Sequence, residues 1–221
     1  NPQSPRMLAG DWVPDNPHEI DFAGLPRVPS QHVVVNDVRA AKGVNQHNYL
    51  VHHGGKFWAM WSDGPAREDR VGQRVKFATS KDGLKWSQPK FLTPPPPGAD
   101  KDSEFYGKRT PKGLRYISRG FWQRKGELLA LASLDESGGF FGPSLELRAF
   151  RLNSTDDTWN DAGVVFDDTI NNFPPKKLRT GQWMMFRRPH DYKKKGVSFL
   201  VGGVKGIDQW KSFPVLGSSS E

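Results

Sequence analysis

The feature that most constrains this chain is a recurrence. Short runs rich in Val, Phe, Trp, Tyr and Leu are punctuated by glycine and proline, and the pattern returns after about 70 residues. Gly54, Lys125 and Lys194 mark successive turns at that spacing, and Trp86 and Trp159 repeat it. Residues 48–53, the pair Gly54-Gly55 and residues 56–61 read as a hairpin, because adjacent glycines supply the positive φ of a tight primed turn. Residues 73–79 and 87–93 add two strands before Pro94-Pro95-Pro96-Pro97 stops the run.

The same grammar follows in residues 115–123, a turn at Arg124-Lys125-Gly126, and residues 127–134, 145–152 and 159–166. A third unit opens with residues 182–187, turns through Lys193-Lys194-Lys195-Gly196, continues with residues 197–201 and reaches Trp210. Helical periodicity is nearly absent. The expected fold is all-β: a β-propeller of four-stranded antiparallel blades, in one partial domain over residues 1–221 with blade-like units at about 44–94, 115–168 and 181–215. Closed propellers need at least four blades. About three are present, with a further strand candidate at residues 31–35, so the remaining blades are expected from other polypeptide, in a longer protein or a partner.

Composition limits the function classes. The 221 residues include 35% hydrophobic side chains and 23 glycines, enough for a packed core. No apolar run reaches the length of a membrane-spanning helix. Without cysteine, disulfides, thiolate metal sites and a cysteine nucleophile are excluded. The start Asn1-Pro2-Gln3-Ser4 reads as that of a processed chain. A formal charge of +8 favours an acidic partner, but the cations are interspersed with acids and match no nucleic-acid recognition module.

Chemistry is sought first at Val44-Asn45-Gln46-His47-Asn48-Tyr49, a polar cluster leading into the first strand of a blade. His47 is the leading catalytic candidate, since imidazole exchanges protons near neutral pH; the bland alternative is that it hydrogen-bonds a neighbouring loop. Like positions in later units add Arg119, Arg187, Arg188 and His190. Guanidinium groups grip carboxylates in two-pronged fashion, although a strand arginine also often lies along an edge. Asn48 is a further substrate-binding candidate. Trp58, Trp61 and Trp122 offer flat faces for sugars, although tryptophan at strand spacing more often packs in the core. His52, His53 and Lys193-Lys194-Lys195 read as solvated turns. The acidic residues, Asp161 in Asn160-Asp161-Ala162 among them, lack a glycosidase spacing.

Ser80-Lys81-Asp82-Gly83-Leu84-Lys85-Trp86 matches the Asp-box pattern SxDxGxxW, and residues 153–159 look like a degenerate copy. Together with NQHNYLVHHGGKFWAMWSDGP, RYISRGFWQRKGELLALAS and QWMMFRRPHDY, it resembles the sialidase-like propellers of bacterial polysaccharide degradation, nearest the rhamnose-α-1,4-glucuronate lyases. The resemblance covers most of residues 40–215. It implies a seven-bladed ring, secreted or periplasmic, acting on an acidic oligosaccharide or polysaccharide without a required cofactor, with calcium a possible occupant of the channel. By it His47 is the acid/base of β-elimination, while Arg119 and Arg188 hold the uronate. A sialidase-like hydrolase and a non-catalytic glycan-binding propeller are the alternatives.

Overall fold

The computed structural model describes residues 16–21, 23–24, 29–39 and 43–215. The chain divides at Val33 into two compact units. In the first, a short 3-10 turn at Pro17–Glu19 is capped by Asn16, whose Oδ1 accepts from the His18 N–H at 3.1 Å. The candidate strand at residues 31–35 has no strand pairing, and among the described residues all sheet structure lies in the second unit.

There the strands are β1 (Val44–His53), β2 (Lys56–Gly64), β3 (Arg74–Ser80), β4 (Lys90–Phe91), β5 (Thr110–Arg124), β6 (Glu127–Ser137), β7 (Glu146–Asn153), β8 (Thr158–Asp167), β9 (Lys176–Lys177), β10 (Trp183–Arg187), β11 (Ser198–Gly202) and β12 (Trp210–Pro214), with one helical turn, α1 (Tyr192–Lys195), between β10 and β11. They form three antiparallel four-stranded sheets, β1 to β4, β5 to β8 and β9 to β12, each in sequence order. This is the blade construction of part of a β-propeller.

Local chemistry explains the hairpins. Gly54 and Gly55 take φ of 57° and 74° between the paired His53 and Lys56, the doubly left-handed turn that matches strand twist. The turn after β3 is closed by Asp82, whose Oδ1 accepts from the Leu84 and Lys85 N–H groups at 2.8 Å each, and by the Trp86 indole N–H donating to the Gly83 carbonyl at 2.9 Å.

Alternation in β6 builds the core. Leu128, Ala130, Ala132 and Leu134 face the first sheet and pack with Trp58, Met60, Phe77 and Phe121; Leu129 and Leu131 face the third sheet and meet Met185 and Leu200. The middle sheet is thus covered on both faces, and nearly every β6 residue is buried. Trp159, in the degenerate turn copy, inserts between the first two sheets with ring centroids 5.7 Å from Trp58 and 5.9 Å from Phe77.

Three expectations change. The fourth strand of the first unit shrinks to β4, because residues 87–89 are not held to β3 by a ladder and Phe91 stays half exposed. The third sheet starts at Lys176, so residues 183–187 form its second strand; Pro174-Pro175-Lys176-Lys177 lacks the β-branched and aromatic residues that announce a strand. The expected tip at residues 193–196 is α1, ended by Gly196 at φ 68°, with Lys193 and Lys194 exposed as expected.

Candidate active site

Two strand irregularities organise the site. In β1, Gln46 pairs with Ser62 and Tyr49 with Met60, so His47 and Asn48 together oppose the single residue Trp61. In β5, Ser118 pairs with Ala132 and Gly120 with Leu131, which leaves Arg119 as an extra residue. Both are β-bulges, which re-aim a side chain out of the regular alternation. His47 has a left-handed φ of 50°, and Gly120, at φ 99°, absorbs the turn after Arg119. The β5 bulge is clamped to the first sheet by Ser62, whose Oγ accepts from the Ser118 N–H at 2.9 Å.

Arg119 is 2% exposed. Its Nε donates to Ser133 Oγ at 2.9 Å and its Nη1 to Asn172 Oδ1 at 3.4 Å, while Nη2 is enclosed without a hydrogen-bond partner. No carboxylate of the described residues is ion-paired with it. Burial, with help from Arg115 and Arg188, lowers its pKa to about 10, so it stays charged at neutral pH. His47 Nδ1 is likewise enclosed and unpartnered. Burial first, and then the Arg119 charge, depress its pKa below the ordinary 6.5, favouring the neutral imidazole.

Around Arg119 stand groups the sequence reading passed over. Arg115, 1% exposed, lies four residues earlier on β5 and pairs across to Asp135 on β6, its Nη2 3.3 Å from Asp135 Oδ2; its other arm meets Asp69. Asp135 is fully buried, and burial lifts its carboxyl to about 7 against the opposing pulls of the Gly142 N–H and Arg115. The guanidinium carbons of Arg115, Arg119 and Arg188 lie 5.7, 5.6 and 5.9 Å from the Phe141 ring. One aromatic ring therefore gathers three cations. An acid in a fully buried strand was the available signal for Asp135; nothing local marks Phe141.

The other sequence candidates separate. Arg188 joins the cluster, but from the end of a second strand rather than from the first strand used by His47 and Arg119; it is fixed by mutual backbone hydrogen bonds with Ile170 of 2.9 and 3.0 Å. His190 and Arg187 instead face Asp168: His190 Nδ1 lies 2.7 Å from Asp168 Oδ1, and Arg187 Nη2 3.6 Å from Oδ2. Asn48 is exposed beside His47 on the bulge. Trp58 is not a sugar platform: it is 2% exposed, donates its indole N–H to the His53 carbonyl at 3.1 Å and stacks on Phe77. Trp61 and Trp122 are buried too. Among the described residues no group of three or more His, Asp or Glu side chains is placed to hold a metal ion, so the channel calcium finds no ligand set there. No helix of these residues is long and apolar enough to cross a membrane.

No protein-family model matches the chain, and no curated protein matches it. Among solved structures it is similar to a family 117 glycoside hydrolase produced by the marine bacterium Zobellia galactanivorans, with a TM-score of 0.60 and 12% identity over 84% of this chain and 60% of that one. The chain thus spans about 60% of that enzyme's length. Weaker likenesses include an exo-1,5-alpha-L-arabinanase from a bovine ruminal metagenomic library, at a TM-score of 0.49 and 15% identity over 79% of this chain and 56% of that one. Trypanosoma rangeli sialidase gives 0.49 and 12% over 77% and 28%. The likeness shows the fold, part of a β-propeller; nearness to rhamnose-glucuronate lyases is not shown by it.

Proposed function

We propose that this chain carries part of the active site of a carbohydrate-active enzyme that cleaves an acidic glycan. The observation behind it is Arg119: a guanidinium held in the interior with one arm free and no carboxylate to neutralise it. An uncompensated buried charge is costly, and a ligand carboxylate would relieve that cost while being oriented by it. Arg188 and Arg115 reinforce the same field, and His47 stands beside it as the proton-transfer group.

Glycoside hydrolysis is the first reading, favoured by the class of enzyme to which the fold is similar. In it water adds across the glycosidic C–O bond: one group protonates the departing oxygen and another takes a proton from the water. A sialidase-type tyrosine nucleophile finds no support in Tyr49, whose hydroxyl donates to the Asn172 carbonyl at 2.8 Å rather than to a base. The second reading, β-elimination at a uronate, is favoured by the His47–Arg119 pairing itself. Neutral His47 would take the C5 proton, the C4–O bond would break as the C4–C5 double bond forms, and a proton would return to the leaving oxygen; Arg119 would stabilise charge on the carboxylate. A polymer substrate fits a secreted or periplasmic protein.

Incubating the protein with rhamnosyl-glucuronate oligosaccharides tests this. New reducing ends without ultraviolet absorbance mean hydrolysis, and equal yields of both mean elimination. Binding without either product would leave the non-catalytic glycan-binding role, and neither binding nor product would overturn the proposal.

A further inference from the structure

We propose that Phe140 and Tyr192 form a stacking platform for an uncharged sugar residue adjoining the anionic one, an inference that rests on the acidic-glycan reading above. Phe140 is 58% exposed, whereas Trp58, Trp61 and Trp122 are buried. Its ring lies 6.2 Å from that of Tyr192 with only 24° between the planes, so Tyr192 stacks behind the exposed Phe140 ring and backs it.

That stack runs directly into the cation cluster. The Arg188 guanidinium carbon lies 4.8 Å from the Tyr192 ring and 5.9 Å from Phe141, whose ring also meets Arg119. Phe141 thus supports the cations from within, while its neighbour Phe140 faces solvent at their margin. A glycan whose carboxylate sits at Arg119 and Arg188 would carry its next residue toward Phe140.

The loop that presents these rings is fixed in advance. Gly142 N–H donates to Asp135 Oδ1 at 2.9 Å, and Ser144 N–H to Glu136 Oε1 at 3.2 Å. A pre-shaped loop spends less of its binding energy on ordering. The chemistry selects an uncharged ring: the negative face of an aromatic attracts the C–H face of a pyranose and repels a carboxylate, and a deoxy sugar presents the most apolar such face. Sugar sites commonly pair an apolar wall with a few polar anchors, which is the arrangement of Phe140 and Tyr192 beside Arg188.

Calorimetric titration in a His47→Ala background, which keeps the sugar intact, tests the platform with two probes, methyl glucuronide and a rhamnosyl-glucuronate disaccharide. Adding Phe140→Ala should weaken the disaccharide about tenfold and leave methyl glucuronide unchanged, and Phe140→Trp should restore the loss. An equal loss for both probes, or none for either, would overturn the platform while leaving the anion site standing. If the background protein binds neither probe, the acidic-glycan reading fails first and the platform with it.

Discussion

His47 and Arg119 occupy like places on neighbouring sheets, each displaced from its first strand by a β-bulge, and the charge of one lowers the pKa of the other. Regular alternation would send one of every two residues into the packing between sheets. The bulges at His47 and Arg119 break that rule, and Ser62 ties the second one to the first sheet.

Arg119 separates a binding role from a structural one. Replacing a buried, unpaired cation by an apolar side chain of similar length is often neutral or stabilising. Arg119→Met should therefore keep or raise the melting temperature while weakening glucuronide binding about a hundredfold, the loss of a charge-assisted contact. Arg119→Lys should not rescue binding, because the ammonium lacks the planar fork. Calorimetry of unfolding and of binding on the same samples checks both halves.

Asp135 predicts an unusual pH dependence. With its folded pKa raised to about 7 from 3.8, the native state holds a proton that the unfolded chain has released. Stability from this group is fully present below pH 3.8 and is lost as pH rises toward 7, opposite to an ordinary salt-bridged carboxylate. Asp135→Asn should flatten the stability slope across that window, a difference of the order of a few kcal/mol at its alkaline end. Urea unfolding at a series of pH values measures it.

Gly120 holds the Arg119 bulge open. At φ 99°, with a hypothetical Cβ 3.0 Å from Pro174 and 3.1 Å from Tyr49, it has neither the conformation nor the room for a side chain. Gly120→Ala should cost about 1–3 kcal/mol of stability. By shifting Arg119 it should also raise KM for an acidic glycan, measurable by steady-state kinetics.

Much of this architecture is legible in the chain. Turn residues such as Gly54-Gly55 and Lys125-Gly126 take the left-handed backbone of tight hairpins, so the β1–β2 and β5–β6 pairs follow from local chemistry. Short edge strands follow less well: β4 lies inside the expected residues 87–93 but is only two residues long, and little in the side chains of the two-residue β9 marks it. At the site, His47, Arg119 and Arg188 stand out because polar groups interrupt apolar strands. Arg115 and Phe141 gain their roles from contacts across strands and between sheets, which no local pattern encodes, and Asp135 carries only the signal of an acid within an apolar strand.

Trp58 and Trp159 should behave as core. Trp159→Ala should lower stability by about 3–5 kcal/mol, because its ring fills the space between the first two sheets against Trp58, Phe77 and Phe121. Trp58→Phe should lower the melting temperature without changing KM, the opposite of what a sugar-stacking residue would show.

The assignment proposed for His47 and Arg119 is that bond cleavage occurs at this pair. Its most direct test is the pH profile of kcat/KM for cleavage of a rhamnosyl-glucuronate oligosaccharide, measured for the wild-type protein and for His47→Ala. The wild type should keep its activity below pH 6.5, because burial and Arg119 hold the imidazole neutral there, and His47→Ala should lose that limb with a fall of at least about a hundredfold in rate. A variant that cleaves at the wild-type rate with an unchanged profile would contradict the assignment.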